Sequence, residues 1–63
     1  MCLSKAFGLL EDGSEKLLVD YVSGVKIKGD EVELHDLMGG IHSFKGKLAE
    51  IDLENNKLHI VLD

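Results

Sequence analysis

The chain has a single cysteine, Cys2, which directly follows Met1. A thiol, a backbone amide and a terminal amine therefore lie within two residues, and each can bind a metal after losing a proton. Copper(II) and nickel(II) favour a square-planar set of nitrogen and sulfur ligands, whereas zinc prefers a tetrahedron. The alternative is an inert Cys2 that acts as a small hydrophobic residue at the start of a strand. Cys2 and Met1 are thus the candidate metal ligands.

Three histidines, His35, His42 and His59, are the other side chains that could do chemistry. Cysteine catalysis needs a base beside the thiol, but each histidine lies in or beside a predicted hairpin, where outward positions are usually polar. We expect His59 to pair with Asp52. Because His35 and His42 flank one loop, a two-histidine metal site is an alternative, although no spacing motif supports it. The sequence contains no phosphate-binding loop or paired-carboxylate motif, and we expect a protein that is not an enzyme.

The elements that position these residues are predicted to be β-strands, because apolar and polar residues alternate in several runs. These runs begin at Val25, Val32, Ile51 and Leu58. Turn dipeptides rich in glycine, aspartate and asparagine separate them. With two more strands over residues 3–10 and 15–19, the pattern predicts an all-β fold. We expect a small SH3-like, partly closed β-barrel of about six short antiparallel strands.

The dipeptide Gly29-Asp30 predicts the central hairpin. A two-residue turn there places Ile27 opposite Val32 and pairs opposite charges on the other face, so the turn and the register agree. Before this hairpin, we expect residues 20–23 to form a short turn that carries Tyr21.

Two further turns are predicted towards the end of the chain. A two-residue turn at Asn55-Asn56 places Asp52 opposite His59. A two-residue turn at Gly39-Gly40 would place Phe44 on the solvent face, so we expect a longer loop or a bulge there.

Composition excludes several classes of partner. The net charge is −5, all seven cations are lysines, and only three residues are aromatic. Such a surface is poorly suited to nucleic acid, which proteins usually contact through arginine and basic patches, and it would be repelled by anionic lipid. No apolar run approaches the length of a membrane span or a signal peptide. We therefore expect a cytoplasmic protein whose thiol stays reduced.

The small size of the chain favours self-association. A domain of about 60 residues buries only about 60% of the surface that its unfolded chain exposes. One cysteine cannot form an intramolecular disulfide, so oligomerisation is the remaining route to extra stability. We expect a homodimer, with the first strand of the barrel as an exposed edge that a second subunit can join.

The start "MCLS", followed by a short strand and Asp12-Gly13, resembles the CooT family of small nickel-binding proteins. The segments "VSGVKIKGDEVELHDLMGG" and "GKLAEIDLENNKLHIVL" are similar to the central and closing hairpins of that family. The resemblance covers essentially the whole chain, so residues 1–63 are expected to form a single nickel-binding β-barrel domain. The family cysteine corresponds to Cys2.

The resemblance implies an accessory protein for maturation of nickel-containing carbon monoxide dehydrogenase, with that enzyme or its other maturation proteins as partners. It also implies a homodimer with nickel at the interface. A two-fold axis would bring two Cys2 thiolates to one Ni(II), with Cys2 amides or Met1 amines as the nitrogen ligands. The alternatives are a metal-free β-barrel that interacts through its edge strand and a small RNA-binding protein, the label once given to family members.

Overall fold

The computed structural model describes residues 3–63, which form an all-β barrel as predicted. Its strands are β1 (Ser4–Leu9), β2 (Glu15–Lys28), β3 (Glu31–Asp36), β4 (Ile41–Asp52) and β5 (Lys57–Leu62). Neighbouring strands in the order β1-β2-β3-β4-β5 pair antiparallel, and β1 pairs with β5 in parallel, so the ring is closed. Within the described part of the chain, no helix is long and apolar enough to cross a membrane.

There are five strands rather than six because β2 runs through the segment predicted to be a turn. Ser4 pairs with Val22 and Ala6 pairs with Val19, so two residues of β2 oppose one residue of β1. This is a β-bulge, which bends a strand without ending it. Tyr21 takes a left-handed φ of 55° there. Its N–H donates to Oδ1 of Asp20 at 2.9 Å, which supports the unusual backbone geometry.

The register of the central hairpin is confirmed, since Ile27 pairs with Val32. Val32 is fully buried, but Ile27 is 63% exposed, because it lies past the edge of the core. The next connection is longer than two residues, as expected. Phe44 pairs with Val32 and packs against the core instead of facing solvent.

The predicted register of the closing hairpin is wrong. Residues 53–56 form a four-residue turn, so His59 pairs with Glu50, and Asp52 pairs with Lys57. The cause is the side chain of Asp52, whose Oδ1 accepts hydrogen bonds from the backbone N–H groups of Glu54 at 3.1 Å and Asn55 at 3.2 Å. These bonds build a wider turn than the asparagine dipeptide predicts.

The barrel closes at a corner formed by Gly46. There β4 stops pairing with β3 and begins to pair with β5. Gly46 has a φ of 153°, and a Cβ atom at this position would overlap the carbonyl oxygen of Val61. Its N–H donates to the carbonyl of Asp30 at 2.9 Å. Because glycine has no Cβ atom, only glycine can take this φ and lie this close to Val61 without strain.

The core fills the interior of the ring. Its buried side chains come from four strands: Ala6, Val19, Val22, Val32, Leu34, Leu58 and Ile60. Strand β4 contributes the half-buried Phe44 and Leu48. Because β1 has a neighbouring strand on each side over Lys5–Leu9, the expectation that the first strand is an open edge is wrong. A partner cannot extend the sheet along that strand.

Candidate functional site

The two predicted metal ligands, Met1 and Cys2, lie outside the described residues. The structure does place the strand to which they are joined. Ser4 pairs with Val22 on one side of β1. On the other side, the N–H of Lys5 donates to the carbonyl of Asn56 at 2.9 Å. Two residues of chain span at most about 7 Å, so Cys2 is tied to the barrel end where β1 begins.

His35 and His42 do not form a common site. His35 pairs with Ile41, whereas His42 pairs with Leu34. Paired residues share a face of a sheet and successive residues alternate, so the two imidazoles are on opposite faces. His35 Nε2 lies 2.7 Å from Glu33 Oε1, and His42 Nε2 lies 2.7 Å from Asp36 Oδ2. The two-histidine alternative is therefore wrong.

Glu33 contacts two basic side chains, His35 and Lys28, on the outer face of the β2–β3 hairpin. Besides the His35 contact, its Oε2 lies 3.2 Å from Nζ of Lys28. Both neighbours favour the ionised carboxylate. His35, followed by Lys28, holds the pKa of Glu33 below its ordinary value of 4.5. This arrangement stabilises the surface of the hairpin.

Asp36 holds the β3–β4 loop in shape. Its Oδ1 accepts hydrogen bonds from the N–H groups of Met38 and Gly40, each at 2.8 Å. The contact with His42 and these two bonds hold the pKa of Asp36 below its ordinary value of 3.8. A Cβ atom on Gly40 would lie 2.5 Å from Asp36 Oδ2. The loop is therefore tightly organised around one carboxylate.

His59 lies in a shallow groove of about 370 Å³ formed by β1, β2, β4 and β5 and lined by Leu9, Glu15, Ala49, Glu50 and His59. Its predicted partner is wrong, because the register differs. His59 Nε2 lies 3.0 Å from Glu15 Oε1. Its buried Nδ1 is 3.2 Å from Glu50 Oε1, without a hydrogen-bonding angle.

The His59 ring also stacks on Phe7, with ring centroids 5.9 Å apart. Since Phe7 and His59 are partners in the parallel pairing of β1 with β5, this stack covers the seam that closes the barrel. Glu15 was missed by sequence reasoning, because it lies 44 residues away and only ring closure brings it near. The role indicated for His59 is structural.

Residues 3–63 contain no group of three or more histidine, cysteine, aspartate or glutamate side chains arranged to hold a metal ion. The reason is that each imidazole is already beside a carboxylate of its own. The two nitrogens of His59 also point to different carboxylates, so they cannot converge on one ion. A metal site that used one of these imidazoles through the nitrogen that faces its carboxylate would first have to break that contact.

Comparison with known proteins agrees with the fold. The structure is similar to the crystal structure of a protein assigned as CooT from Carboxydothermus hydrogenoformans, with a TM-score of 0.87, 19% identity and coverage of 98% of both chains. No curated protein sequence matches the chain. The model of the family described as "CO dehydrogenase accessory protein CooT" matches residues 1–61. That match spans almost the whole sequence, and the chain therefore belongs to the CooT family.

Proposed function

We propose that this protein is a nickel(II)-binding accessory protein for maturation of nickel-containing carbon monoxide dehydrogenase. One Ni(II) is bound per homodimer, through Cys2 of both chains. The observation that carries the proposal is the family match over residues 1–61, which includes Cys2 and is described as a CO dehydrogenase accessory protein. The metal is cargo for delivery, and the protein itself is not an enzyme.

The ligand chemistry favours nickel over harder cations. A two-fold axis turns one cysteine per chain into two thiolates per site. Deprotonated Cys2 amides, or the Met1 amine of one or both chains, complete a planar set of two sulfur and two nitrogen ligands. Affinity in such a site rises along the divalent series towards copper. Copper(II) would bind more tightly still, so selectivity for nickel depends on which metal is available in the cell.

The barrel holds the strand to which the proposed ligands are joined. The start of β1 is fixed to β2 through the Ser4–Val22 pair and to the β4–β5 turn through the Lys5–Asn56 hydrogen bond. Both anchors are within reach of Cys2. One nitrogen of each of the three imidazoles lies beside a carboxylate. In the proposed site, selective binding depends on the first two residues.

The proposed role is transfer of nickel, in the cytoplasm, to carbon monoxide dehydrogenase or to another protein of its maturation. A planar ion has open positions above and below its ligand plane, so an incoming ligand can attack before the old ligands leave. A closed tetrahedral site offers no such position. Nickel storage is the other use of the same site, and a transfer assay to the apo-enzyme distinguishes them.

Nickel titration of the wild type and of Cys2→Ser tests the proposal, with stoichiometry referred to a measured oligomeric mass. We expect one Ni(II) per wild-type dimer, with an ultraviolet sulfur-to-nickel charge-transfer band that is absent from Cys2→Ser. His42→Ala is the matched control and should bind as the wild type does. Unchanged binding and absorption in Cys2→Ser would contradict the proposal.

The state of the amino terminus is a second measurement on the same samples. If Met1 is removed, the free amine belongs to Cys2, and amine and thiolate form a five-membered chelate ring with the metal. Intact-mass spectrometry of the purified protein identifies the species, and the titration should be interpreted for that species.

A further inference from the structure

His59 is the most buried of the three histidine side chains, at 12% exposed against 29% for His35 and 41% for His42. Among the ion pairs of residues 3–63, it alone has a carboxylate beside each ring nitrogen. Nε2 lies 3.0 Å from Oε1 of Glu15 on β2, and Nδ1 lies 3.2 Å from Oε1 of Glu50 on β4. Only the first contact is a hydrogen bond, since the buried Nδ1 has no hydrogen-bond partner among the described residues.

A neutral imidazole cannot satisfy both carboxylates, because it carries one N–H group and a lone pair on the other nitrogen. With the proton on Nε2, His59 donates to Glu15 and turns the lone pair of Nδ1 towards Glu50. With the proton on Nδ1, the lone pair faces Glu15 instead. In either tautomer a lone pair faces a carboxylate oxygen. The imidazolium has a proton on each nitrogen, so it alone can donate to both glutamates.

We propose that His59, with Glu15 and Glu50, forms a proton-operated clasp on the seam that closes the barrel. When the ring takes a second proton from solvent, Nδ1 donates to Glu50. When that proton leaves, the hydrogen bond to Glu15 remains and the Glu50 contact is lost. Histidine changes its charge between about pH 5 and pH 8, which is above the range in which ordinary carboxylates titrate. This inference does not depend on nickel binding.

The clasp lies where the ring of strands is closed by β1 and β5. Phe7 of β1 and His59 of β5 are partners in this parallel pairing, and their rings stack. Glu50 is the antiparallel partner of His59 on β4, and Glu15 reaches the same ring from β2. One imidazole therefore contacts side chains from three other strands. A change in its protonation changes the contacts between those strands.

The charged groups around the imidazole act in opposite directions. Glu15 from β2 and Glu50 from β4 favour the imidazolium. Strand β1 contributes only an uncharged ring, that of Phe7, and Nζ of Lys57 lies 5.7 Å from the centroid of that ring. Lys47 of β4 lies in the next row of the same face. These two ammonium groups and the burial of the imidazole oppose protonation. The decisive test therefore compares the two glutamates with each other.

Double-mutant cycles at two pH values make this comparison. The variants are Glu15→Gln and Glu50→Gln, each alone and combined with His59→Gln, together with His59→Gln itself. Glu54→Gln, a substitution in the exposed β4–β5 turn, is the matched control and is combined with His59→Gln in the same way. Urea unfolding gives the folding equilibrium constant of each variant at about pH 5.5 and pH 8, near the two ends of the histidine range.

We expect His59 and Glu50 to be coupled about two- to fivefold in the folding equilibrium constant at the lower pH. This coupling should disappear at the higher pH. His59 and Glu15 should be coupled at both pH values, because Nε2 donates to Glu15 in either protonation state. The control cycle with Glu54 should show no coupling. A Glu50 coupling that is equal at the two pH values, or absent from both, would overturn the clasp.

Nitrogen NMR of the His59 ring in the wild type is a second measurement, which does not depend on any variant being folded. Ring nitrogen chemical shifts distinguish the two neutral tautomers from the imidazolium. We expect the neutral form with the proton on Nε2 at the higher pH and the imidazolium at the lower pH. A ring that stays neutral at both pH values, or a neutral ring with its proton on Nδ1, would overturn the clasp.

Discussion

The imidazole Nε2 of His42 lies 2.7 Å from Oδ2 of Asp36, while the other oxygen of the same carboxylate accepts two backbone N–H groups of the loop between them. One side chain thus joins the end of β3, the loop and the start of β4. The loop that presents Leu37 and Met38 depends on this carboxylate.

Removing the Asp36 carboxylate should loosen the loop without unfolding the barrel. In Asp36→Ala, the N–H groups of Met38 and Gly40 lose their acceptor, and their amide exchange should accelerate roughly five- to tenfold. Hydrogen exchange followed by NMR measures this residue by residue. Asp12→Ala is the matched control, because Asp12 accepts from the N–H of Ser14 in the β1–β2 turn. If amide exchange at Met38 and Gly40 also accelerates in Asp12→Ala, that exchange reports global unfolding of the barrel and not the loss of the Asp36 carboxylate.

Acid should destabilise the barrel through carboxylates whose pKa is lowered by folding. The pKa of Glu33 is lowered first by His35 and then by Lys28, and that of Asp36 first by His42 and then by the N–H of Gly40. A carboxylate with a lowered pKa stabilises the fold fully above its unfolded value, here 4.5 and 3.8. The stabilisation is lost as pH falls below these values through the folded pKa.

Urea unfolding at a series of pH values tests this sign. The midpoint should fall progressively as the pH decreases below about 4.5, the ordinary value for Glu33. In Glu33→Gln and Asp36→Asn, the midpoint at neutral pH should be lower and its acid dependence weaker. A wild-type urea midpoint that increases as the pH is lowered from 4.5 to 3 would contradict the assigned contacts.

Alanine at position 46 should be strongly destabilising. The added methyl would overlap the carbonyl of Val61, and φ is 153°, which L-residues rarely adopt. Backbone strain of this kind costs about 1–3 kcal/mol, before the overlap is relieved. Gly24→Ala is the control, since the nearest atom to its Cβ would be the Cβ of His35 at 3.8 Å, an ordinary contact. Chemical denaturation of both variants should show a much larger loss for Gly46→Ala.

Nickel affinity should rise with pH. Under the proposed function, the thiol and the amide or amine of the first two residues must lose protons to bind the ion. Apparent affinity should therefore increase between about pH 6 and pH 8.5, a range that ends at the ordinary thiol pKa. Isothermal titration in buffers with different protonation enthalpies also counts the protons released. A constant affinity with no proton release would argue against thiolate ligation.

Local patterns in the sequence were sufficient where a strand or a turn is determined by its own residues. The alternation of polar and apolar residues predicted an all-β barrel, and Gly29-Asp30 predicted the pairing of Ile27 with Val32, as observed. The dipeptide Asn55-Asn56 predicted a tighter turn than the one that forms. There the side chain of Asp52 accepts hydrogen bonds from the backbone and widens the turn. Because Asp52 lies outside the dipeptide, the dipeptide alone does not predict this turn.

Long-range closure was beyond local patterns. The parallel pairing of β1 with β5 removes the edge that β1 was predicted to have, and it brings Glu15 beside His59. In both cases the residues in contact lie far apart in the sequence, so a local pattern does not predict the contact. Met1 and Cys2 lie outside the described residues, so their role as metal ligands stays a prediction, and the structure describes only the start of β1 to which they are joined.

The parallel pairing of β1 with β5 also bears on the order of folding. Lys5 pairs with Lys57, so the ring cannot form until β5 has been synthesised. Contacts between segments this distant in sequence slow folding, because the entropic cost of closing a long loop comes before the contacts can stabilise the chain. Under the proposed function, a nascent chain would therefore acquire its capacity to bind the metal only after β5 has paired with β1.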